Sequence, residues 1–251
     1  DPLVTGAVAY RADPTATIST LAGMVGPAPA GWAETWVEAA RVADRAAAEA
    51  IAVEAFPSEP AVARIVATAA PDASLIYAGS SMPIRDLDSF GGPPRTVPVL
   101  ANRGANGIDG LLSAAAGASI EAGRVVCLSG DIGAIHDLNA LVTIARNRLP
   151  VTTVVVNNDG GGIFHFLPHA DPAQLEPGLF ERLFGTGHGL AVAPVAEAMG
   201  IPTMPVAGPD DLAAALQAPG DGPLLVEVRT DRAENVAVHR RIRDAVAAAL
   251  R

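Results

Sequence analysis

Residues 124–131 read Arg-Val-Val-Cys-Leu-Ser-Gly-Asp, and residues 151–162 read Val-Thr-Thr-Val-Val-Val-Asn-Asn-Asp-Gly-Gly-Gly. Each is a short β-rich run that breaks abruptly into small and polar residues. Between them, Asp137 to Asn147 has the spacing of a helix, so the segment reads as one β-α-β unit with parallel strands. Runs this apolar, with little polar alternation, belong to strands covered on both faces. In open parallel sheets the ligand sits beyond the carboxyl ends of the strands. Asp131 and Asn158 occupy those ends and are expected to face one crevice. A carboxylate, an amide oxygen and a backbone carbonyl form a hard oxygen set suited to Mg²⁺, which fills its other positions with water and phosphate. The glycines let a phosphate approach the backbone, and a nearby helix N-terminus favours its charge. On spacing alone the same residues also describe ordinary turns: Gly-Asp opens many of them, and Asn-Asn-Asp-Gly-Gly makes a sharp loop.

Outward from this unit the alternation continues. Ser58 is placed to cap a helix from Glu59 to about Ala70. Short apolar runs at 74–78 and 97–100 read as strands, 107–118 as a helix of small residues, and 192–199 as another helix. An apolar run at 201–206 reads as a strand, Asp210 as the cap of a helix through Gln217, 224–228 as a strand, and 235–250 as a closing helix. The expectation is an α/β fold with a parallel sheet of roughly six strands flanked by helices. Residues 1–56 differ in character. Ala7 to Tyr10 could form a short strand, and Trp32 to Phe56 is helical, with a stripe through Trp32, Trp36, Ala39, Ala40, Ala43 and Ala47 that reads as a face packing a neighbouring domain.

Half of the 251 residues are hydrophobic, only 18% are charged and 4% are aromatic, which suits close packing of small aliphatic side chains on a sheet. The net charge of −10 argues against a nucleic-acid binder or an anionic-membrane binder. The single cysteine, Cys127, has no internal partner for a disulfide, so a reducing, cytoplasmic setting is expected. In mid-strand it reads as a small hydrophobe, not a nucleophile. No apolar run reaches the ~20 residues of a membrane span, and no secretory leader pattern is present.

A set of ordered motifs carries a resemblance. Gly130-Asp131 followed by Asn157-Asn158 resembles the thiamine-diphosphate signature of Gly-Asp-Gly and Asn-Asn. Its third position here is Ile132, not glycine, and in one branch of that family this glycine is commonly replaced. Asn102-Arg103-Gly104-Ala105-Asn106-Gly107-Ile108-Asp109-Gly110-Leu111-Leu112-Ser113, His136 to Leu141, Asn157 to Phe164, and Gly79-Ser80-Ser81 followed by Arg85 are all similar to that branch. The branch is the 2-succinyl-5-enolpyruvyl-6-hydroxy-3-cyclohexene-1-carboxylate synthases of menaquinone biosynthesis, and the resemblance spans about residues 57–245.

The resemblance implies a thiamine-diphosphate-binding domain over 57–251, with 1–56 as the end of a central domain and a linker helix. It implies Mg²⁺, with Mn²⁺ as an alternative, held by Asp131, Asn158 and the Gly160 carbonyl. Gly130, Ile132 and Ile163 would line the cofactor, and Ile108 would be the apolar wedge beneath it. Ser81, Arg85, Arg103, Ile163 and Phe164 would meet the substrates, 2-oxoglutarate and isochorismate. Both are acidic, and arginine grips a carboxylate through paired hydrogen bonds. The implied reaction is decarboxylation of 2-oxoglutarate and conjugate addition of the resulting succinyl-semialdehyde carbanion to isochorismate. It further implies a homodimer or homotetramer with the active site at a subunit interface. A glutamate for the aminopyrimidine is expected from a separate domain that is absent here, so the chain is expected to be a fragment, inactive alone.

The competing readings are another thiamine-dependent enzyme of the acetohydroxyacid synthase or decarboxylase type, and a silent regulatory or assembly module. A nicotinamide-binding domain would want Gly-x-Gly-x-x-Gly after its first strand, which is not found in that context. His165, His169 and His188 lack metal-ligand spacing and read as non-ligands. His136 is either a phosphate contact or a helix cap, and the stretch from about 165 to 190 is either a lid or plain surface.

Overall fold

The computed structural model describes residues 6, 8–102 and 107–251. The chain divides into two compact units, one ending at Arg41 and one running from Val42 to Arg251. In the first, helix α1 (Pro14–Met24) begins at Asp13, whose carboxylate accepts the Ala16 N–H, and it buries no residue. Helix α2 (Trp32–Ala52) starts in the first unit and ends in the second. Trp32 and Trp36 touch edge to face and are 56% and 64% exposed, whereas Ala47 and Ile51, further along the stripe, are buried. Residues 8–10, the described part of the expected first strand, form none.

The second unit is built on a sheet of five parallel strands. In chain order its elements are α3 (Glu59–Ala69), β1 (Leu75–Ala78), α4 (Met82–Phe90), β2 (Val99–Ala101), α5 (Leu111–Ala122), β3 (Val125–Gly130), α6 (Asp131–His136), α7 (Asn139–Arg146), β4 (Val151–Asn157), α8 (Pro177–Phe180), α9 (Val192–Ala198), α10 (Pro209–Gln217), β5 (Leu224–Arg229) and α11 (Arg232–Ala249). The strand order is β2-β1-β3-β4-β5. The chain leaves β1 toward one edge and then returns to build the other side from β3, so the topology reverses between β1 and β3. Crevices that hold ligands in such sheets open at that reversal.

The alternation of side chains along each strand divides the core in two. Leu75, Tyr77, Val125, Cys127, Val151, Val155 and Leu225 point to one face, under α5, α7 and α9. Ile76, Val126, Leu128, Val154, Val156, Val226 and Val228 point to the other, under α3 and α10. This two-sided burial is why β3 and β4 are written as unbroken apolar runs. A third cluster ties α2 to α11 through Ala47, Ile51, Val238 and Ile242.

The expected sixth strand at 201–206 is absent. Only Thr203 bridges to Leu225, flanked by the bonds Leu225 N–H to Pro202 O and Met204 N–H to Leu225 O. Pro202 and Pro205 have no N–H to give to a ladder, which confines this segment to a brief edge contact. The expected helix at 107–118 begins instead at Leu111, because 107–110 make a turn ending in the left-handed Gly110 (φ 66°). The expected 137–147 helix is present as α7, and a short helix that the sequence reading lacks, α6, precedes it with Asp131 as its first residue. Asp211, not Asp210, closes the start of α10, accepting the N–H groups of Ala207 and Gly208. No helix among the described residues is long and apolar enough to cross a membrane.

Candidate functional site

A cleft of about 590 Å³ opens at the carboxyl ends of β1, β3 and β4, at the reversal point. Ligand pockets for small molecules and cofactors fall in this size range. Its walls include Ser81 and Arg85 from beyond β1, Gly130, Asp131 and Ile132 from the end of β3, Asn158 and Gly160 to Phe164 from beyond β4, and Ile108. Every described residue that the sequence assigns to the metal, the cofactor or the substrates therefore lines a single cleft. Arg103 lies outside the described residues.

Three loops position these side chains. After β1, Gly79 packs so closely on β3 that its N–H reaches the Leu128 carbonyl at 2.7 Å, and a Cβ there would lie 3.0 Å from Leu111 Cδ2 and 3.1 Å from Leu128 O. Ser81 then turns with φ 73°, a strained value for a residue bearing a side chain, and starts α4. Arg85, one turn along, donates from Nη1 to the Ser81 carbonyl at 2.7 Å while its side chain stays exposed at the cleft.

After β3, Asp131 is the first residue of α6 and is 2% exposed. One of its oxygens accepts the Ile132 N–H at 2.7 Å. The other accepts the Gly160 N–H at 2.9 Å and faces His188 Nε2 at 3.2 Å. His188 Nδ1 accepts the Leu190 N–H at 3.0 Å, so the ring hydrogen sits on Nε2 and is donated to Asp131. Three donors leave a carboxylate with lone-pair capacity for a cation.

After β4, Asn158 is buried, with its Nδ2 donating to Glu59 Oε1 at 2.8 Å. Its Oδ1 is buried with no hydrogen-bond partner. An orphaned amide oxygen beside a carboxylate, with the Gly160 loop next to both, is a donor set that fits Mg²⁺. No group of three or more His, Cys, Asp or Glu side chains suited to a metal occurs among the described residues, and this set, with one carboxylate, does not call for one. Gly160 (φ 135°) admits no side chain: a Cβ would fall 2.1 Å from the Gly185 carbonyl.

Along the floor of the cleft lie two buried acids, Glu59 and Asp86, that the sequence does not single out as site residues. Glu59, at the start of α3, is 3% exposed, and burial, with Asp86 adding its charge, pushes its carboxyl up to about 7 against the opposing hydrogen bonds from Asn158 and Thr230. Asp86 is also buried and held above the usual carboxylate range by that burial, and it meets His239 Nε2 at 2.8 Å. The other nitrogen of His239 donates to the Asn235 carbonyl at 2.8 Å. Burial draws His239 down, but Asp86, the Asn235 carbonyl and Glu59 outweigh it and raise the imidazole above its ordinary value. Cys127 is fully buried with its thiol pushed up to about 12, as a structural side chain in mid-strand should be.

The 165–190 stretch is built of short turns, with Glu181–Gly185 coiled as a single π-helical turn beside the glycine loop. Gly161 N–H bonds the Gly185 carbonyl at 2.7 Å, and Asp159 accepts the N–H groups of His188 and Gly189. His165 stacks edge-on against Phe180, and His169 lies against Phe184. His136 ends α6 and lies outside the cleft lining.

Residues 92–228 match the C-terminal TPP-binding domain of the thiamine pyrophosphate enzymes, and the chain belongs to that family. Within it, the chain is similar to the C-terminal portion of the 2-succinyl-5-enolpyruvyl-6-hydroxy-3-cyclohexene-1-carboxylate synthases. It is 46% identical to that of Rubrobacter xylanophilus over 240 residues, covering 92% of this chain and 40% of the relative. It is 50% identical to that of Myxococcus xanthus over 201 residues, covering 77% of this chain and 33% of the relative. The chain thus spans well under half the length of these relatives. Among solved structures, a protein from Mycobacterium smegmatis provisionally assigned as a thiamin diphosphate-dependent enzyme superposes with a TM-score of 0.51 at 26% identity, covering 69% of this chain and 32% of that one.

Proposed function

We propose that the chain supplies the diphosphate- and Mg²⁺-binding half of the active site of a 2-succinyl-5-enolpyruvyl-6-hydroxy-3-cyclohexene-1-carboxylate synthase. The observation that carries this reading is the convergence of Asp131, the unpartnered Asn158 Oδ1 and the Gly160 loop at the reversal point of the sheet. Asp131, Asn158 and the Gly160 carbonyl would hold Mg²⁺, which would supply positive charge for the cofactor diphosphate. Bound thiamine diphosphate supplies an electron sink for decarboxylation at a carbonyl carbon.

The remaining roles belong to the chain's own residues. Ile108, an apolar side chain left partly exposed in the cleft, supports the cofactor from below. Gly130, Ile132 and Ile163 shape its walls. Arg85, Arg103 and Ser81 receive carboxylates of 2-oxoglutarate and isochorismate. Phe164, packed on Phe184 at a ring separation of 5.4 Å, screens the substrate side from water. The reading requires a second domain to bring a glutamate to the aminopyrimidine, at an interface between subunits of a dimer or tetramer in the cytoplasm.

The test is product analysis on the complete synthase, supplied with 2-oxoglutarate and isochorismate. Condensed product that disappears with Asp131→Ala supports the reading. Turnover of pyruvate to acetolactate, without use of isochorismate, would assign the chain to the acetohydroxyacid synthase type instead.

A further inference from the structure

We infer that Glu59 is a positioning residue that fixes which end of the Asn158 amide is offered to the metal, an inference that rests on the reading of Asn158 as a ligand. An asparagine amide can present either its oxygen or its nitrogen, and only the oxygen ligates Mg²⁺. Glu59 Oε1 accepts from Asn158 Nδ2 at 2.8 Å, and the same oxygen accepts from Thr230 Oγ1 at 3.1 Å. With Thr230 already donating to that oxygen, the amide side facing it must be the NH₂, which leaves Oδ1 as the free end. Oδ1 is the buried atom that has no protein partner.

The grip is two-sided. A Cβ on Gly162 would lie 2.5 Å from Asn158 Nδ2, so the absence of a side chain there lets the amide lie flat against the glycine loop. Glu59 is itself held by the start of α3, which Ser58 caps through the Ala61 N–H, and it lines the floor of the cleft. Glu59, fixed on a helix and held by the Thr230 hydroxyl before α11, and the open face of Gly162 together give the amide one orientation. The contact depends on an accepting oxygen, which either protonation state of the carboxyl retains. Partners of this kind behind a ligand commonly set metal affinity by ten- to a hundredfold.

The test is the apparent Mg²⁺ dissociation constant of the full chain at saturating thiamine diphosphate, with circular dichroism to verify folding. Glu59→Met, which removes the acceptor at similar volume, is expected to weaken Mg²⁺ about tenfold or more, and Glu59→Gln, which keeps an accepting oxygen, to recover most of that loss. Asn158→Asp sets two acids face to face and is expected to weaken Mg²⁺ similarly; adding Glu59→Gln, whose NH₂ can donate to the new carboxylate, should restore it. That isosteric swap carries the test if Glu59→Met does not fold. Asn158→Ala should weaken Mg²⁺, and combining it with Glu59→Met should add nothing further. If Asn158→Ala weakens binding while Glu59→Met does not, or if the swap fails to restore it, the positioning role is overturned and the metal site stands. If Asn158→Ala leaves Mg²⁺ affinity intact, the reading of the site itself is wrong, and this role falls with it.

Discussion

The carboxylate of Asp131, at the end of β3, accepts the backbone N–H of Gly160, three residues beyond β4, at 2.9 Å. This bond joins the two strand ends that the sequence places on either side of one helical crossover. It fixes the glycine loop at the height of the carboxylate, so the Gly160 carbonyl and Asn158 belong to the same short arc. The loop has little freedom to move away, because Gly161 is bonded in turn to Gly185.

Gly160→Ala should break this arrangement. The new methyl would fall 2.1 Å from the Gly185 carbonyl, at φ 135°, where residues with a side chain are strained. A loss of at least ~2 kcal/mol is expected in urea unfolding, together with loss of Mg²⁺-dependent cofactor binding. A variant as stable as the parent would mean that the loop is not held as described.

Arg85→Ala, measured in the complete synthase, should raise KM for a dicarboxylate substrate by roughly tenfold to a hundredfold, the loss of one charge-assisted pair. Cofactor affinity should not change, since among the described residues Arg85 donates to the Ser81 carbonyl and to no residue proposed to hold the cofactor. An unchanged KM would remove Arg85 from the substrate site.

The pair of His239 and Asp86 gives a pH dependence of definite sign. The imidazole is raised in the folded protein, so its contribution to stability is full below the unfolded value near 6.5 and is lost as pH rises through the folded value. An NMR titration should place His239 above 6.5, and Asp86→Asn should bring it below, because burial then acts without the opposing charge. Relative to that variant, the parent should be favoured most at acid pH. A His239 midpoint indifferent to Asp86→Asn would contradict the geometry, in which Nε2 and Oδ1 lie 2.8 Å apart.

Much of this was legible in the sequence because local rules governed it. β3 and β4 are buried on both faces and therefore appear as apolar runs, and Ser58 caps α3 as its type and place suggest. Asp131 and Asn158 stand just past the ends of β3 and β4, where the apolar runs break in the sequence. The errors arose where a local pattern met a competing constraint: Pro202 and Pro205 deny the 201–206 run a ladder, and Gly107 to Gly110 turn before α5 can begin. In the sequence Glu59 is simply the first residue of a capped helix. Its partner Asn158 lies 99 positions away, and Asp86 is 153 from His239, so no spacing in the chain could have joined either pair. His188 likewise showed no ligand spacing, yet it donates to Asp131 from a loop 57 positions on.

The most direct test of the central claim is calorimetric titration of thiamine diphosphate into the chain with Mg²⁺, without it, and with Mg²⁺ into Asp131→Ala. The account predicts binding that requires the metal and is lost in the variant. Equal binding with and without Mg²⁺, or an Asp131→Ala chain that binds as the parent does, would contradict it.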